Sequence, residues 1–98
     1  MKIEYTLHNI HFEWDSQKAS TNIHKHGITF ETACEVFHDP FVQMVTGEVV
    51  DDEVREAVVG MTVDWRLVYV VYVFRKEVVR IISARLVTKA ERNRYEEQ

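Results

Sequence analysis

The sequence predicts an α+β fold, in the order β-α-α-β-β-β-β-α, with an antiparallel sheet packed by helices. Three observations carry this prediction. Apolar residues recur at helical spacing between residues 16 and 39, and from 41 to 86 the period falls to two with β-branched residues dominating. After that, Thr88-Lys89-Ala90-Glu91 has the form of a capping box that opens a final helix.

The elements follow in chain order. "HFEW" (11–14) reads as a short strand, and "KIEYTL" (2–7) in the N-terminal extension 1–11 offers it a possible antiparallel partner. Asp15 stands as N-cap to a helix over 16–26, which Gly27 ends in the left-handed C′ position. Ala19, Ile23 and His26 at i, i+4 and i+7 form a thin inner stripe, with Lys18, Asn22 and Lys25 on an adjacent polar face. Thr29 caps a second helix, where Ile28 can staple to Ala33 and Glu31 favours the positive helix end. Its apolar face is Phe30, Ala33, Cys34 and Phe37, and Asp39-Pro40 stops it.

"FVQMV" (41–45) reads as a strand, followed by a loop through Gly47 to Asp52. "REAVVGMTV" (55–63) alternates Arg55, Ala57, Val59, Met61 and Val63 against Glu56, Val58, Gly60 and Thr62. Asp64-Trp65 turns the chain into "RLVYVVYVF" (66–74), the expected central strand. Arg75-Lys76 turns it again, without the usual glycine, into "EVVRIISAR" (77–85), and the last helix runs to about Glu97.

The 98 residues make one domain, 1–98, because there is no room for a second core. A hydrophobic fraction of 46% with three glycines and one proline argues against disorder. Cys34 is the single cysteine, so no intrachain disulfide can form, which suits a reducing cytosolic setting. The first residues hold no apolar signal-peptide core. The longest apolar run, Leu67–Phe74, is eight residues, against roughly 20 for a membrane helix. The expectation is a soluble, cytoplasmic protein with no membrane partner.

The net charge of −4 hides an asymmetry. Residues 1–65 carry four basic side chains against twelve acidic ones, whereas residues 66–94 carry eight basic against two acidic. A basic segment on an acidic chain is the form a localised anion-binding surface would take, and also that of solvated strand and helix faces.

Residues 12–40, "FEWDSQKASTNIHKHGITFETACEVFHDP", resemble the opening of the BrnT toxins of bacterial type II toxin–antitoxin systems. Their pattern F-x-W-D-x-x-K-x-x-x-N-x-x-K-H-G-x-x-F-x-x-A-x-x-V-F-x-D is met at every fixed position. Residues 80–97, "RIISARLVTKAERNRYEE", resemble the closing strand and helix of that family, and Glu53 and Arg55 stand where it has an acidic residue and an arginine. The resemblance implies a fold like that of RelE-type ribonuclease toxins and RNA cleavage that inhibits translation. It further implies neutralisation by a BrnA-like antitoxin with a ribbon-helix-helix domain, in a heterotetramer that reaches operator DNA only through the antitoxin.

Metal-free RNA cleavage needs a base for the 2′-hydroxyl, an acid for the leaving 5′-oxygen and cations for the phosphorane. Arg80, Arg85 and Arg55 are the expected catalytic cations, because the guanidinium pairs two phosphate oxygens and stays charged. Arg80 and Arg85 differ by five, so they share a face only if a bulge or the strand end near Ser83-Ala84 reorients Arg85. Glu53 is a candidate base or a solvated loop residue. Lys25, Lys89 and Arg92 are candidate RNA contacts, and Tyr95 is either a further contact or a packing residue. His26 is either acid or base, or it joins Lys25 in complementing the negative helix end. His24 and His26 project about 200° apart on a helix and cannot share a metal, so neither metal nor cofactor is expected. The alternative is a non-catalytic partner or co-repressor of a DNA-binding antitoxin, which the acidic total charge favours.

Overall fold

The computed structural model describes residues 1–98, apart from the side chain of Thr46. β1 (Lys2–Leu7) and β2 (Ile10–Asp15) form a hairpin, and α1 (Ser16–His26) and α2 (Phe30–Cys34) follow. A 3-10 turn (Glu35–His38) leads into β3 (Gln43–Val50), β4 (Glu53–Met61), β5 (Leu67–Arg75), β6 (Val78–Leu86) and α3 (Lys89–Glu96). The six strands make one sheet in the order β1-β2-β6-β5-β4-β3.

One face of the sheet carries the core. Phe12, Trp14, Val70, Tyr72, Ile81 and Ala84 meet Ile28, Phe30, Ala33, Cys34 and Val36, all buried. Edge-on aromatic contacts tie the layers: Phe12 to Phe37 at 5.4 Å, Phe37 to Tyr72 at 5.1 Å and Trp14 to Phe30 at 5.8 Å between ring centroids. The opposite face is partly covered by α3, which packs against β4. There Tyr95 Oη donates to Asp39 at 2.5 Å, and Gln43 Nε2 donates to the Arg94 carbonyl at 3.0 Å.

Several expectations need correction. The sheet is not wholly antiparallel: β2 pairs with β6 in parallel at Phe12–Val79 and Glu13–Arg80, because α1 rather than a hairpin leaves β2. The N-terminal extension is a full strand in antiparallel register, Lys2 opposite Asp15 through Leu7 opposite Ile10. The expected loop from Gly47 to Asp52 is mostly strand: β3 runs on to Val50 after a register shift between Val45 and Glu48, and only Asp51-Asp52 turns. Glu53 therefore opens a strand rather than ending a loop. The β5–β6 turn falls one residue later than expected, at Lys76-Glu77 with φ of 50° and 65°. Ala57 to Gly60 are buried without alternation, since both faces of β4 are covered. The second helix tightens to 3-10 geometry after Cys34, which turns Val36 rather than Phe37 fully inward.

The inner stripe of α1 also differs. Ile23 and His26 are exposed, and Asn22 is the residue that α1 buries. Asn22 Nδ2 donates to the Ile28 carbonyl at 3.0 Å and to the Ala84 carbonyl at 2.9 Å, while its Oδ1 accepts from Ala84 N–H at 3.0 Å. A carboxamide has the donor and acceptor of a peptide group. Where β2 no longer pairs with β6, Asn22 stands in for the missing strand and satisfies a backbone that would otherwise be buried unpaired.

Candidate functional site

The Asn22 bracket holds α1 beside a kink in β6. Val71 pairs with Ser83 but Tyr72 pairs with Ile81, so Ile82 is an extra residue, a β-bulge. The bulge resets the parity of the strand. Arg80, Ser83 and Arg85 lie opposite Val73, Val71 and Tyr69, alternate residues of β5, and therefore share the α3-bearing face. This is the reorientation that a common face for the two arginines requires.

Between the bulge and α1 lies an open groove of about 450 Å³. Lys18, Lys25 and His26 line it from the helix and Ser83 from the bulge, with Asp15 at one end. Lys25 and His26 occupy the last turn of α1, where positive charge complements the helix dipole. Gly27, at φ 69°, then turns the chain away and keeps that turn open to solvent. Asp15 is occupied structurally: its carboxylate accepts the backbone N–H groups of Lys18 and Gln17 at 3.0 and 3.1 Å, which lower its pKa, the Lys18 bond most. His24 does not line the groove. Among the described residues no group of three or more His, Cys, Asp or Glu side chains is placed to hold a metal ion.

The arginines share a face without converging. Arg80 donates to Glu13 of β2 at 2.8 Å, and this bond holds the Glu13 carboxyl below its ordinary range. Arg85 points the other way, in a two-pronged pair with Glu91 of α3 at 2.8 and 2.9 Å, its guanidinium 4.1 Å above the Tyr69 ring. With the bulge taking up one residue, their backbones are about 13 Å apart along the strand. Arg55 shares the face, since Ala57 two residues on pairs with Val71. Its Nε is buried and has no hydrogen-bond partner among the described residues.

The remaining candidates lie elsewhere. Glu53 pairs with Arg75 at 3.5 Å near the hairpin end of the sheet, away from His26. Lys89 and Arg92 are exposed on α3, with Arg92 3.9 Å from Glu96. Tyr95 packs α3 onto the body, and burial together with the Asp39 carboxylate pushes its hydroxyl up to about 12. Sequence reasoning passed over Lys18 and Ser83 as site residues. The spacing of Lys18, Asn22 and Lys25 on one helix face was the available signal for the first, but nothing local marks the bulge that presents the second.

A family model described as the ribonuclease toxin BrnT of type II toxin–antitoxin systems matches residues 14–91. The chain belongs to the BrnT family. Its structure is similar to the crystal structure of the ribonuclease toxin BrnT of Brucella abortus, with a TM-score of 0.54 and 23% sequence identity. That likeness covers 78% of this chain and 94% of the other. A search of curated protein sequences finds no match.

Most of β1–β2 lies before the residues matched to the BrnT model. The positions within residues 12–39 that carry the BrnT likeness divide by environment. Phe12, Trp14, Phe30, Ala33 and Val36 build the core, Asp15 caps α1, Asn22 braces β6, and Asp39 accepts from Met61 N–H and Tyr95. Only Lys18, Lys25 and His26 remain as exposed polar groups facing one groove.

Proposed function

We propose that this BrnT-family toxin is a metal-independent endoribonuclease that binds an RNA phosphate in the α1–β6 groove. Cleavage there inhibits translation in the cytoplasm, by chemistry akin to that of RelE-like toxins. The observation that carries the reading is the convergence of Lys18, Lys25 and His26 on one open groove beside Ser83, with Arg80 and Arg85 on the adjoining sheet face.

In this reading Lys18 and Lys25 hold the phosphate as point charges. His26 transfers the proton, because an imidazole carries one donor and one acceptor nitrogen and can both take and return it. The 2′-oxygen attacks phosphorus, the bond to the 5′-oxygen breaks, and the products are a 2′,3′-cyclic phosphate and a 5′-hydroxyl. Arg80 stabilises the phosphorane from the sheet side once RNA competes with Glu13 for its guanidinium. Arg85 and Arg55 extend the cationic face along the RNA, with Lys89 and Arg92 as outer contacts. A BrnA-like ribbon-helix-helix antitoxin neutralises the toxin in a heterotetramer that reaches operator DNA through the antitoxin.

Induced expression without antitoxin tests this. Wild type should arrest growth and shorten cellular RNA, and His26→Ala and Arg80→Ala should restore both. Normal growth and intact RNA with well-folded wild-type protein would remove the enzymatic reading. The carboxylates already seated on Arg80 and Arg85 would then favour the co-repressor, which requires only antitoxin and operator binding.

A further inference from the structure

On the core face, which bears α1 and α2, one row of apolar side chains leaves the core and runs into solvent. It starts at buried Phe12 and Val79, which pair across β2 and β6, and passes to Phe74, opposite Val79 on β5. The β4–β5 register places Val54 next to Phe74, and Val49 pairs with Val54 on β3. Exposure climbs along the row from 7% at Val79 to 54% at Phe74, 55% at Val54 and 69% at Val49. Met44, 67% exposed on the same face, widens the stripe. The helices stop short of it, and β3 is the outermost strand, so a backbone edge runs alongside.

Charge around this stripe is one-sided. Asp51 and Asp52 form the β3–β4 turn, Glu77 sits in the β5–β6 turn at the same end, and Glu56 lies on the same face opposite Tyr72. Lys76 is the nearby cation without an ion pair among the described residues, since Arg75 is held by Glu53. An acidic rim repels RNA phosphates. It also repels a second copy, because a two-fold contact would set the same carboxylates against each other.

We propose that the protein antitoxin of this system docks here, laying a basic, amphipathic segment over Val49, Val54 and Phe74. The inference rests on BrnT-family membership, which supplies the antitoxin, and not on cleavage at the α1–β6 groove. It separates the two surfaces: the stripe lies on the core face that bears α1 and α2, whereas the arginines lie on the face that bears α3.

The test is the dissociation constant of purified full-length toxin for its cognate antitoxin. The double variant Val54→Ser/Phe74→Ser should bind about tenfold more weakly or worse, the factor expected for losing buried apolar anchors. Its thermal midpoint and its growth arrest without antitoxin should stay at wild-type values, because both side chains are already half exposed. Val49→Glu, on the edge strand, supplies a second variant with the same expectation. Asp51→Asn/Asp52→Asn should slow association and flatten its salt dependence. Unchanged affinity in both apolar variants, with folding intact, overturns the proposal. So does a toxin dimer that Val49→Glu dissolves while antitoxin binding persists, which would assign the stripe to a second copy. A toxin that proves inactive on RNA still reads out this binding constant.

Discussion

Replacing Asn22 by alanine tests the bracket on which the groove depends. The side chain is 5% exposed and makes three hydrogen bonds, two donated to carbonyls and one accepted from Ala84 N–H. Asn22→Ala leaves the Ile28 carbonyl and both polar groups of Ala84 without this partner, at residues that are themselves 0% exposed. Each net bond contributes about 1 kcal/mol, and each orphaned group costs about 1–3 kcal/mol, so the expected loss is about 3 kcal/mol. Against a typical stability of about 5–15 kcal/mol this is large, and it corresponds to a fall in melting temperature of roughly 12–24 °C for a domain of this size. Asn22→Asp keeps the acceptor for Ala84 N–H but sets a carboxylate against two carbonyl oxygens, so it should not rescue. Urea unfolding followed by far-UV circular dichroism, with the slope compared between variants, measures the loss. A change below about 1 kcal/mol at equal slope would refute the claim that this carboxamide replaces a strand.

Glu91, held at about 2 chiefly by Arg85 and also by the Thr88 backbone N–H, makes stability sensitive to acid. Its contribution is complete above its ordinary value of 4.5 and is lost as pH falls from there towards 2. Screening of the partly exposed pair leaves about 1–2 kcal/mol, and Glu91→Gln should flatten acid unfolding over that range by this amount. Gly60→Ala should cost about 1–3 kcal/mol by thermal melt, since a Cβ there would lie 2.8 Å from Val36 Cβ and 2.9 Å from its carbonyl oxygen. Burial pushes the Cys34 thiol up, with Glu31 and Glu35 adding to the shift, so a thiol reagent should label it only as fast as the protein opens.

Local chemistry was legible in the sequence wherever a single residue fixes a backbone conformation. Asp15, Gly27, Thr29 and the Thr88–Glu91 box mark the helix ends where the structure has them, because capping is decided within four residues. What escaped was set by distant partners. Asn22 reads as a surface residue until β6 arrives with an unpaired Ala84, and β3 reads as a loop at Gly47 because the paired β4 strand lies beyond the turn. The parity argument on Arg80 and Arg85 named the device that joins their faces and looked for it near Ser83-Ala84, and the extra residue is the adjoining Ile82, which no local signature in "RIISAR" marks. Their separate carboxylate partners, Glu13 at one end of the chain and Glu91 near the other, were invisible for the same reason.

The most direct test of the account is cleavage of an end-labelled RNA by purified toxin in EDTA, wild type beside His26→Ala and Lys25→Ala. The account predicts 2′,3′-cyclic phosphate ends from wild type and a loss of about 10²–10⁴-fold on removing the histidine. Lys25→Ala should weaken RNA binding, with the melting temperature falling by no more than a few degrees in either variant, the loss expected for one helix-end charge. Full activity in His26→Ala, or cleavage by wild type that stops when metal is chelated, would contradict it.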